Sequence, residues 1–256
     1  MIFLFIPVLL LFSVLIQPQP TLIESQVYRW EDAAITSSDI RIRRHFLEGN
    51  TRDLAHLEMH ATTLAPGKPL HPLHSHEQRE ELIIIKSGTV EVVIEQDKQL
   101  LGPGSVVLVM PGDQHNLTNV GADSATFYIM LYTAKSKPNT EQEAEAGGSL
   151  IVNWEDVPFR EREKGGSRSF FERPTAMLER LEMHVTTLKP GIQSHPPHQH
   201  RPAEIILMLN GETQEYIDGQ QFQGNAGDLY FLGSETLHTI KNTGSEPCTY
   251  FAFQFN

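Results

Sequence analysis

The chain contains two copies of one sequence pattern. LEMHATTLAPG at residues 57–67 returns as LEMHVTTLKPG at residues 181–191, which is 124 residues later. The same offset, or one smaller by a single residue, joins WED at 30–32 to WED at 154–156, HPLHSH at 71–76 to HPPHQH at 195–200, Gly88 to Gly211, Gly104 to Gly227, His115 to His238, and Asn119 to Asn242. A repeat of about 110 to 120 residues has the size of a domain rather than of a solenoid unit. The repeat therefore predicts one fold that occurs twice.

Each copy consists of short apolar runs separated by turn residues. ELIIIKSGTVEVVIEQD at 81–97 and EIILMLNGETQEYIDG at 204–219 are rich in Ile, with Val in the first and Leu in the second, and are interrupted by Gly, Asn and Asp. Such runs predict short strands of a sandwich or barrel, so the predicted class is all-β. Helical periodicity is confined to EQEAEA, within a polar stretch that ends in two glycines. The predicted segments are an apolar N-terminus at 1–24, domain one at 25–133, a linker at 134–148 and domain two at 149–256.

Most of the histidines occur at equivalent positions in the two copies. Ten of the 12 histidines have a histidine at the equivalent position of the other copy: 60/184, 71/195, 74/198, 76/200 and 115/238. In extended chain, residues two apart point to the same side, so His74 and His76 could converge on one point. An antiparallel barrel could bring Glu81 and His115 to the same place. The predicted metal ligands are His74, His76, Glu81 and His115 in the first copy and His198, His200, Glu204 and His238 in the second.

Three imidazoles and one carboxylate suit a divalent transition metal. We expect up to one ion in each domain, Fe or Mn by preference, with Ni, Co, Cu and Zn as alternatives. A thiolate site within the chain is excluded, because Cys248 is the only cysteine among the 256 residues. The formal charge of −12, from 32 acidic and 20 basic residues, argues against nucleic acid as a partner. The expected partner is a small-molecule substrate, and a homo-oligomer is possible because sheet edges need covering.

The first 16 residues, MIFLFIPVLLLFSVLI, are almost wholly apolar and are followed by QPQP. This pattern is typical of a signal-peptide core and its spacer, and it is short for a membrane span. We expect the protein to be exported to a periplasm or secreted if the segment is a signal peptide, and to be cytoplasmic otherwise. A membrane contact is expected only through this segment, if it is not cleaved.

The histidine pattern resembles the cupin superfamily. Gly67, His74, His76, Glu81 and Gly88 fit its first motif, G-x6-H-x-H-x4-E-x6-G, and Gly104, His115 and Asn119 fit its second motif. The second copy repeats the first motif with one residue fewer before Glu204. Its second motif has Gly233 and Glu235 where the proline and glycine are usual, which leaves the geometry of that turn open. The resemblance covers nearly all of residues 26–256, so the chain looks like a bicupin.

The resemblance implies two double-stranded β-helix, or jelly-roll, barrels, each with a metal held inside by three histidines and one glutamate. It also favours Glu81 over Glu80 as ligand, because Glu81 precedes Gly88 by seven residues as Glu204 precedes Gly211. His71 and His195, three residues before each H-x-H, are the predicted catalytic groups. They could act in proton transfer, line the mouth of the pocket or hydrogen-bond to a metal ligand, with a surface-loop role as the alternative. Asn119 and Asn242 are expected to support turns.

We expect structural roles for other residues that occur at equivalent positions in the two copies. Glu58 with His60, and Glu182 with His184, are two residues apart on predicted strands and would form a polar ladder or face the barrel interior. Tyr128, Tyr250 and Gln254 could form pocket walls, although residues of these types are more often part of the core or the surface.

Three functional hypotheses follow from the metal site. The first is a metal-dependent enzyme acting on a small organic molecule, with a quercetinase-like dioxygenase as the first specific form. The second is hydrolase, lyase or decarboxylase chemistry, like that of ureidoglycine aminohydrolase, whose site differs in its ligands, or of oxalate decarboxylase. The third is a non-catalytic, exported binding or storage cupin, since a fold does not dictate a function.

Overall fold

The computed structural model describes residues 21–256, in which the chain forms twenty strands, one short α-helix and one 3-10 turn. The first ten strands are β1 Gln26–Tyr28, β2 Ala34–Ser37, β3 Arg41–Gly49, β4 Leu54–Leu64, β5 Glu80–Ser87, β6 Val90–Ile94, β7 Asp97–Leu101, β8 Val106–Val109, β9 His115–Asn119 and β10 Ala125–Ala134. They are followed by α1 Thr140–Ala146, β11 Leu150–Val152, the 3-10 turn Trp154–Asp156, β12 Arg160–Arg162, β13 Gly165–Arg173, β14 Leu181–Leu188, β15 Ala203–Asn210, β16 Glu212–Ile217, β17 Gln220–Asn225, β18 Leu229–Leu232, β19 His238–Asn242 and β20 Cys248–Phe255.

The strands form two barrels of the same design. In barrel one, a seven-stranded antiparallel sheet in the order β11-β8-β5-β10-β4-β3-β2 faces a three-stranded sheet, β7-β6-β9. In barrel two, the order is β1-β18-β15-β20-β14-β13-β12, opposite β17-β16-β19. The expectation of an all-β chain with two jelly-roll barrels is confirmed.

The barrels exchange their first strands. Strand β1, which precedes barrel one in the chain, pairs with β18 of barrel two, and β11, which precedes barrel two, pairs with β8 of barrel one. The predicted boundaries at residues 25 and 149 assign each of these strands to the following domain. The exchange follows from pairing across space, which a repeat in the sequence does not reveal.

The large sheets are buried on both faces, which explains their continuous apolar runs. Along β5, Leu82 and Ile84 pack in a core shared by the two barrels, whereas Ile83 and Ile85 pack inside barrel one. Strand β15 behaves in the same way: its alternate residues enter the shared core or the interior of barrel two. The shared core joins the barrels back to back.

The predicted linker contains α1, at the site of the EQEAEA periodicity. Oδ1 of Asn139 accepts a hydrogen bond from the backbone N of Gln142 at 3.1 Å and caps the first turn. Gly147 ends the helix in the left-handed conformation, with φ 93°. The side chain of Gln142 donates to the carbonyl of Leu178 at 2.9 Å, so the linker is tied to the second repeat.

The predicted export segment at 1–24 lies almost entirely outside the described residues, and its role stays a prediction. Over residues 21–256, no helix has the length and apolar character needed to span a bilayer.

Candidate metal centres and cavities

In barrel one the four predicted ligands meet between the two sheets. A pair of backbone hydrogen bonds joins His74 and His115, 2.8 Å from the His115 N to the His74 carbonyl, and fixes the loop of the H-x-H against β9. The Nε2 atoms of His74 and His76 are 3.1 Å apart. Oε2 of Glu81 lies 3.1 Å from Nε2 of His115 and 3.5 Å from Nε2 of His76. The donor atoms of His76, Glu81 and His115 thus lie within 4.8 Å of one another, and His74 lies beside them in a second group with His71 and His115.

Barrel two repeats the arrangement. Oε2 of Glu204 lies 3.0 Å from Nε2 of His200 and 3.3 Å from Nε2 of His238. The ring of His198 is 4.6 Å from the ring of His238, centroid to centroid, and its backbone pairs with that of His238. The structure thus brings His200, Glu204 and His238 within 4.8 Å of one another and places His198 in a second group with His195 and His238. Their role as ligands stays a prediction.

The donor atoms fit a bound cation. Ligands about 2.1 Å from one metal ion lie roughly 3.0 to 3.4 Å apart, which matches the separations around Glu81 and Glu204. In barrel two, Nε2 of His238 is buried and, apart from a poorly aligned contact with Oε2 of Glu204 at 3.3 Å, has no hydrogen-bond partner in the part of the chain described. An unpaired buried nitrogen is costly unless a ligand satisfies it. Both groups can therefore hold a divalent metal, and the identity of the ion stays open.

The electrostatics favour an ionised glutamate and one neutral histidine in each group, His74 or His198, whereas hydrogen bonds to the glutamates raise the pKa of His115, against its burial, and the pKa of His200. Burial raises the pKa of Glu81, but hydrogen bonds from His115 and His76 and their positive charge outweigh burial and lower the pKa to about 2. Glu204 has its pKa lowered to about 2 in the same way by His200 and His238. Burial, with the neighbouring histidines, lowers the pKa of His74 and of His198 to about 4. Ionised carboxylates and neutral imidazoles are the forms that coordinate a metal.

Alternation along the strand decides between the two acids at the start of β5. Glu81 shares a face with Ile83 and enters barrel one, whereas Glu80 shares a face with Leu82 and enters the core between the barrels. There Oε1 of Glu80 accepts a hydrogen bond from the backbone N of Met177 at 3.0 Å. Glu80 therefore ties the two repeats together and lies on the side of β5 opposite to the predicted metal ligands.

His71 and His195 lie against the metal groups. The ring of His71 is 3.6 Å from the ring of His74, and the ring of His195 is 4.0 Å from the ring of His198, centroid to centroid. Burial lowers the pKa of each, so both imidazoles favour the neutral form that can accept a proton. Their predicted role in proton transfer stays a prediction.

The two barrels differ in the volume of the cavity beside the predicted ligands. The cavity of barrel two has a volume of about 510 Å³ and reaches from Arg162 and Lys164 to Glu204, Tyr250 and Gln254. The cavity of barrel one has a volume of about 170 Å³. Three arginines line the smaller cavity together with the histidines: Arg41, Arg43 and Arg79.

The remaining residues at equivalent positions differ in whether they line a cavity or lie in the core. His60 and His184 line the two cavities, and Nδ1 of each lies 2.7 or 2.8 Å from Oε1 of Glu58 or Glu182, respectively. Tyr250 and Gln254 line the cavity of barrel two. Tyr128 does not line a cavity: it packs in the core between the barrels, where its hydroxyl donates to the carbonyl of Gly227 at 3.3 Å. It occupies the opposite face of β10 from Phe127, the residue equivalent to Tyr250.

Sequence reasoning missed one buried acid. Glu215 on β16 has no exposed surface and faces the interior of barrel two. Its equivalent in the first repeat is Val92. The available signal in the sequence was that Glu215, an acid, stands where the first repeat has the apolar Val92.

Comparison with known proteins agrees with this architecture. The Cupin domain model matches the chain twice, at residues 60–132 and 184–253. No curated protein sequence matches the chain.

Solved structures share the fold at low sequence identity. AerE from Microcystis aeruginosa aligns with a TM-score of 0.70 and 14% identity, covering 90% of this chain and 99% of that one. The protein YlbA from E. coli aligns with a TM-score of 0.73 and 14% identity, covering 94% and 96%. The formate complex of Lactobacillus farciminis oxalate decarboxylase aligns with a TM-score of 0.69 and 14% identity, covering 91% and 87%. At these identities the likeness concerns the fold alone.

Proposed function

Because this chain belongs to the cupin family, with two copies of the Cupin domain, we propose that it is a metal-dependent bicupin enzyme that acts on a small organic molecule. The supporting observation is the convergence of His200, Glu204 and His238 beside a cavity of about 510 Å³. That volume lies within the range of pockets that bind small molecules, about 300 to 1,000 Å³. A structural metal site would be closed by protein ligands, whereas this one opens into a cavity.

In this proposal, the residues of barrel two have distinct roles. His198, His200, Glu204 and His238 would hold the ion, which supplies Lewis-acid or redox chemistry when bound. His195, at the edge of the same group, would accept or return a proton of the substrate. The neutral side chains of Ser194, Tyr250 and Gln254 would orient the substrate through hydrogen bonds.

The first specific form of the proposal is an oxygen-dependent cleavage of the quercetinase kind. Three imidazoles and one carboxylate leave positions for substrate and dioxygen on a six-coordinate ion. The test is turnover of quercetin by iron- and manganese-loaded protein, measured by the loss of its absorbance in air and under strict anaerobiosis. We expect turnover in air alone. Equal turnover in both conditions would exclude the dioxygenase.

A second candidate, decarboxylation of a small dicarboxylate, is favoured by barrel one. Its cavity of about 170 Å³ is lined by Arg41 and Arg79, which suits a small anion. Oxalate decarboxylases are among the structures that share the fold, and manganese(II) centres are described for the Bacillus subtilis protein. Release of carbon dioxide from oxalate by manganese-loaded protein would support this candidate. If the metal stabilised the protein but neither substrate reacted, a non-catalytic binding role would be supported.

A further inference from the structure

Each barrel carries a glutamate and a histidine, two residues apart, on the inner face of its large sheet. In barrel two, Nδ1 of His184 lies 2.8 Å from Oε1 of Glu182, and in barrel one, Nδ1 of His60 lies 2.7 Å from Oε1 of Glu58. A carboxylate oxygen accepts hydrogen bonds, so each ring donates through Nδ1, and Nε2 is the nitrogen left for another group. The same pair therefore occurs twice, and its surroundings decide what each copy can bind.

In barrel one an arginine covers the pair. Nη2 of Arg43 donates a hydrogen bond to Oε1 of Glu58, and the same nitrogen lies 3.3 Å from Nδ1 of His60. The side chain of His60 is only 7% exposed. The residue of barrel two that is equivalent to Arg43 is Ser167, which occupies the same register position on its strand. A serine is too short to cover the pair in the same way.

In barrel two the histidine is open to the cavity. The side chain of His184 is 30% exposed and, like Ser167, lines the cavity of about 510 Å³. Because Glu182 engages Nδ1, the ring nitrogen available to a molecule in the cavity is Nε2. A carboxylate that holds one nitrogen of an imidazole fixes the tautomer and the orientation of the ring. His184 is therefore a preoriented hydrogen-bonding group on the cavity wall.

The order of the strands places His184 and the predicted metal group on one cavity floor. Strand β20 lies between β14, which carries His184, and β15, which carries Glu204, and both residues line the cavity. Neighbouring strands are about 4.8 Å apart, so two strand spacings, roughly 10 Å, separate the two residues across the sheet. The residue opposite His184 on β20 is Ala252, whose equivalent in barrel one is Ile129. The smaller side chain leaves room for a molecule that extends from His184 to the metal group.

We propose that the Glu182–His184 pair is a substrate-binding site of barrel two, at which Nε2 of His184 accepts a hydrogen bond from a hydroxyl group of a small hydroxylated molecule. The proposal rests on the proposed function for the reacting end of this molecule, which would lie at the metal group. His184 is the specificity-determining residue, and Glu182 is the positioning residue that fixes its ring. The equivalent pair of barrel one is structural. Three hydroxyl groups line the same cavity and suit the same class of molecule: those of Thr186, Ser194 and Tyr250.

The test measures the dissociation constant of quercetin, a polyhydroxylated molecule, for zinc-loaded proteins by titration calorimetry. Zinc does not change its oxidation state, so the ligand is not consumed. His184→Phe keeps a ring in the cavity and removes the hydrogen bond. His60→Phe is the matched control, because it makes the same change at the closed position of barrel one. Ser167→Arg introduces the covering residue of barrel one, and Glu182→Leu removes the partner of Nδ1.

We expect His184→Phe to weaken quercetin binding about tenfold, as the loss of one hydrogen bond in a cavity predicts. Ser167→Arg should also weaken it, whereas His60→Phe should bind quercetin as the wild type does. Zinc content should be the same in all variants. Equal quercetin affinities in the wild type and His184→Phe, or no quercetin binding by the wild type, would overturn the proposal.

Nitrogen-15 NMR of histidine-labelled protein separates a binding role from a structural one. The Nε2 signal of His184, identified by its absence from His184→Phe, should shift when quercetin binds to the wild type. In Glu182→Leu the two ring nitrogens should report a mixture of tautomers, and quercetin should bind more weakly. An Nε2 signal that quercetin does not move would show that His184 is only structural.

The outcomes also separate this proposal from the proposed function. His184-dependent binding of quercetin, without turnover by the iron- or manganese-loaded protein in any condition, would leave the binding site in place and remove the enzymatic function. Oxygen-dependent turnover with affinities that ignore His184 would do the reverse.

Discussion

The indole ring of Trp154 covers Gly104 of the other repeat so closely that a Cβ atom on Gly104 would clash with it. Trp30 makes the reciprocal contact with Gly227, where an added Cβ would lie 3.4 Å from the Cβ of Trp30. Each tryptophan thus packs on the barrel that does not follow it in the chain. The two WED motifs of the sequence mark these contacts, and the exchanged strands β1 and β11 lie beside them.

Gly104→Ala should destabilise the protein by about 2 to 4 kcal/mol, because Gly104 has φ +87° and its Cβ position is filled by Trp154. Gly102→Ala is the matched control, since nothing lies within 4 Å of its Cβ position and its φ is ordinary. The measurement is urea unfolding of the two variants and the wild type. Equal midpoints for Gly104→Ala and Gly102→Ala would show that the tryptophan contact is not close.

Asn119→Ala should cost about 3 kcal/mol without altering metal content. Nδ2 of Asn119 donates to the carbonyls of Leu64 and Asp123, both at 2.9 Å, and Oδ1 accepts from the backbone N of Gly121 at 3.0 Å. Removing the amide leaves these buried groups unpaired. The control is Asn116→Ala on the same strand, where Oδ1 has no hydrogen-bond partner among residues 21–256. Loss of metal together with stability in Asn119→Ala would mean that Asn119 supports the site as well as the turn.

Glu215→Gln should change the pH dependence of stability. The folded pKa of Glu215 lies well above the unfolded value of 4.5, so above pH 4.5 the unfolded chain loses a proton that the folded protein keeps. The native acid therefore destabilises the fold increasingly as pH rises above 4.5, by about 1.4 kcal/mol for each unit of difference, and has no such effect below 4.5. The stability of Glu215→Gln relative to wild type should rise with pH over this window, in denaturant unfolding at pH 4 to 8. Glu212→Gln should show no such trend; a flat difference for Glu215→Gln would mean that Glu215 is ionised in the fold.

His76→Ala and His200→Ala should each remove about one equivalent of bound metal from a wild type that holds two. Each histidine contributes a donor atom to a different group, and the groups share no residue. Elemental analysis of untagged protein counts the bound ions. The difference between the midpoints of thermal unfolding with and without a chelator should be smaller in each variant than in the wild type, because each variant binds less metal. Loss of both ions in one variant would contradict independent sites. His56→Ala, at a histidine outside the two groups, serves as control.

Much of the site could be predicted because its spacing is local and occurs twice. The H-x-H, the glutamate before Gly88 or Gly211, and the later histidine are kept in register between copies, so comparison within the chain favoured Glu81 over Glu80. The turn before β19 shows the limit of such patterns. Glu235 replaces the glycine of the first copy but adopts φ 64°, and its backbone N donates to the His200 carbonyl at 2.8 Å, as that of Gly112 donates to His76 at 2.9 Å. The tertiary contact imposes the same turn on a residue that does not favour it.

By itself, the sequence determined that this protein has two copies of one all-β fold and where each copy carries its metal-ligand pattern, because period-two alternation and turn residues are local properties of the chain. Only the tertiary structure decided that β1 and β11 change barrels, that Tyr128 faces the shared core, and that Glu215 is buried in barrel two with no hydrogen-bond partner among residues 21–256. These features depend on which distant strands pair and which face of a doubly buried sheet a residue occupies. When both faces are apolar, alternation in the sequence no longer distinguishes them.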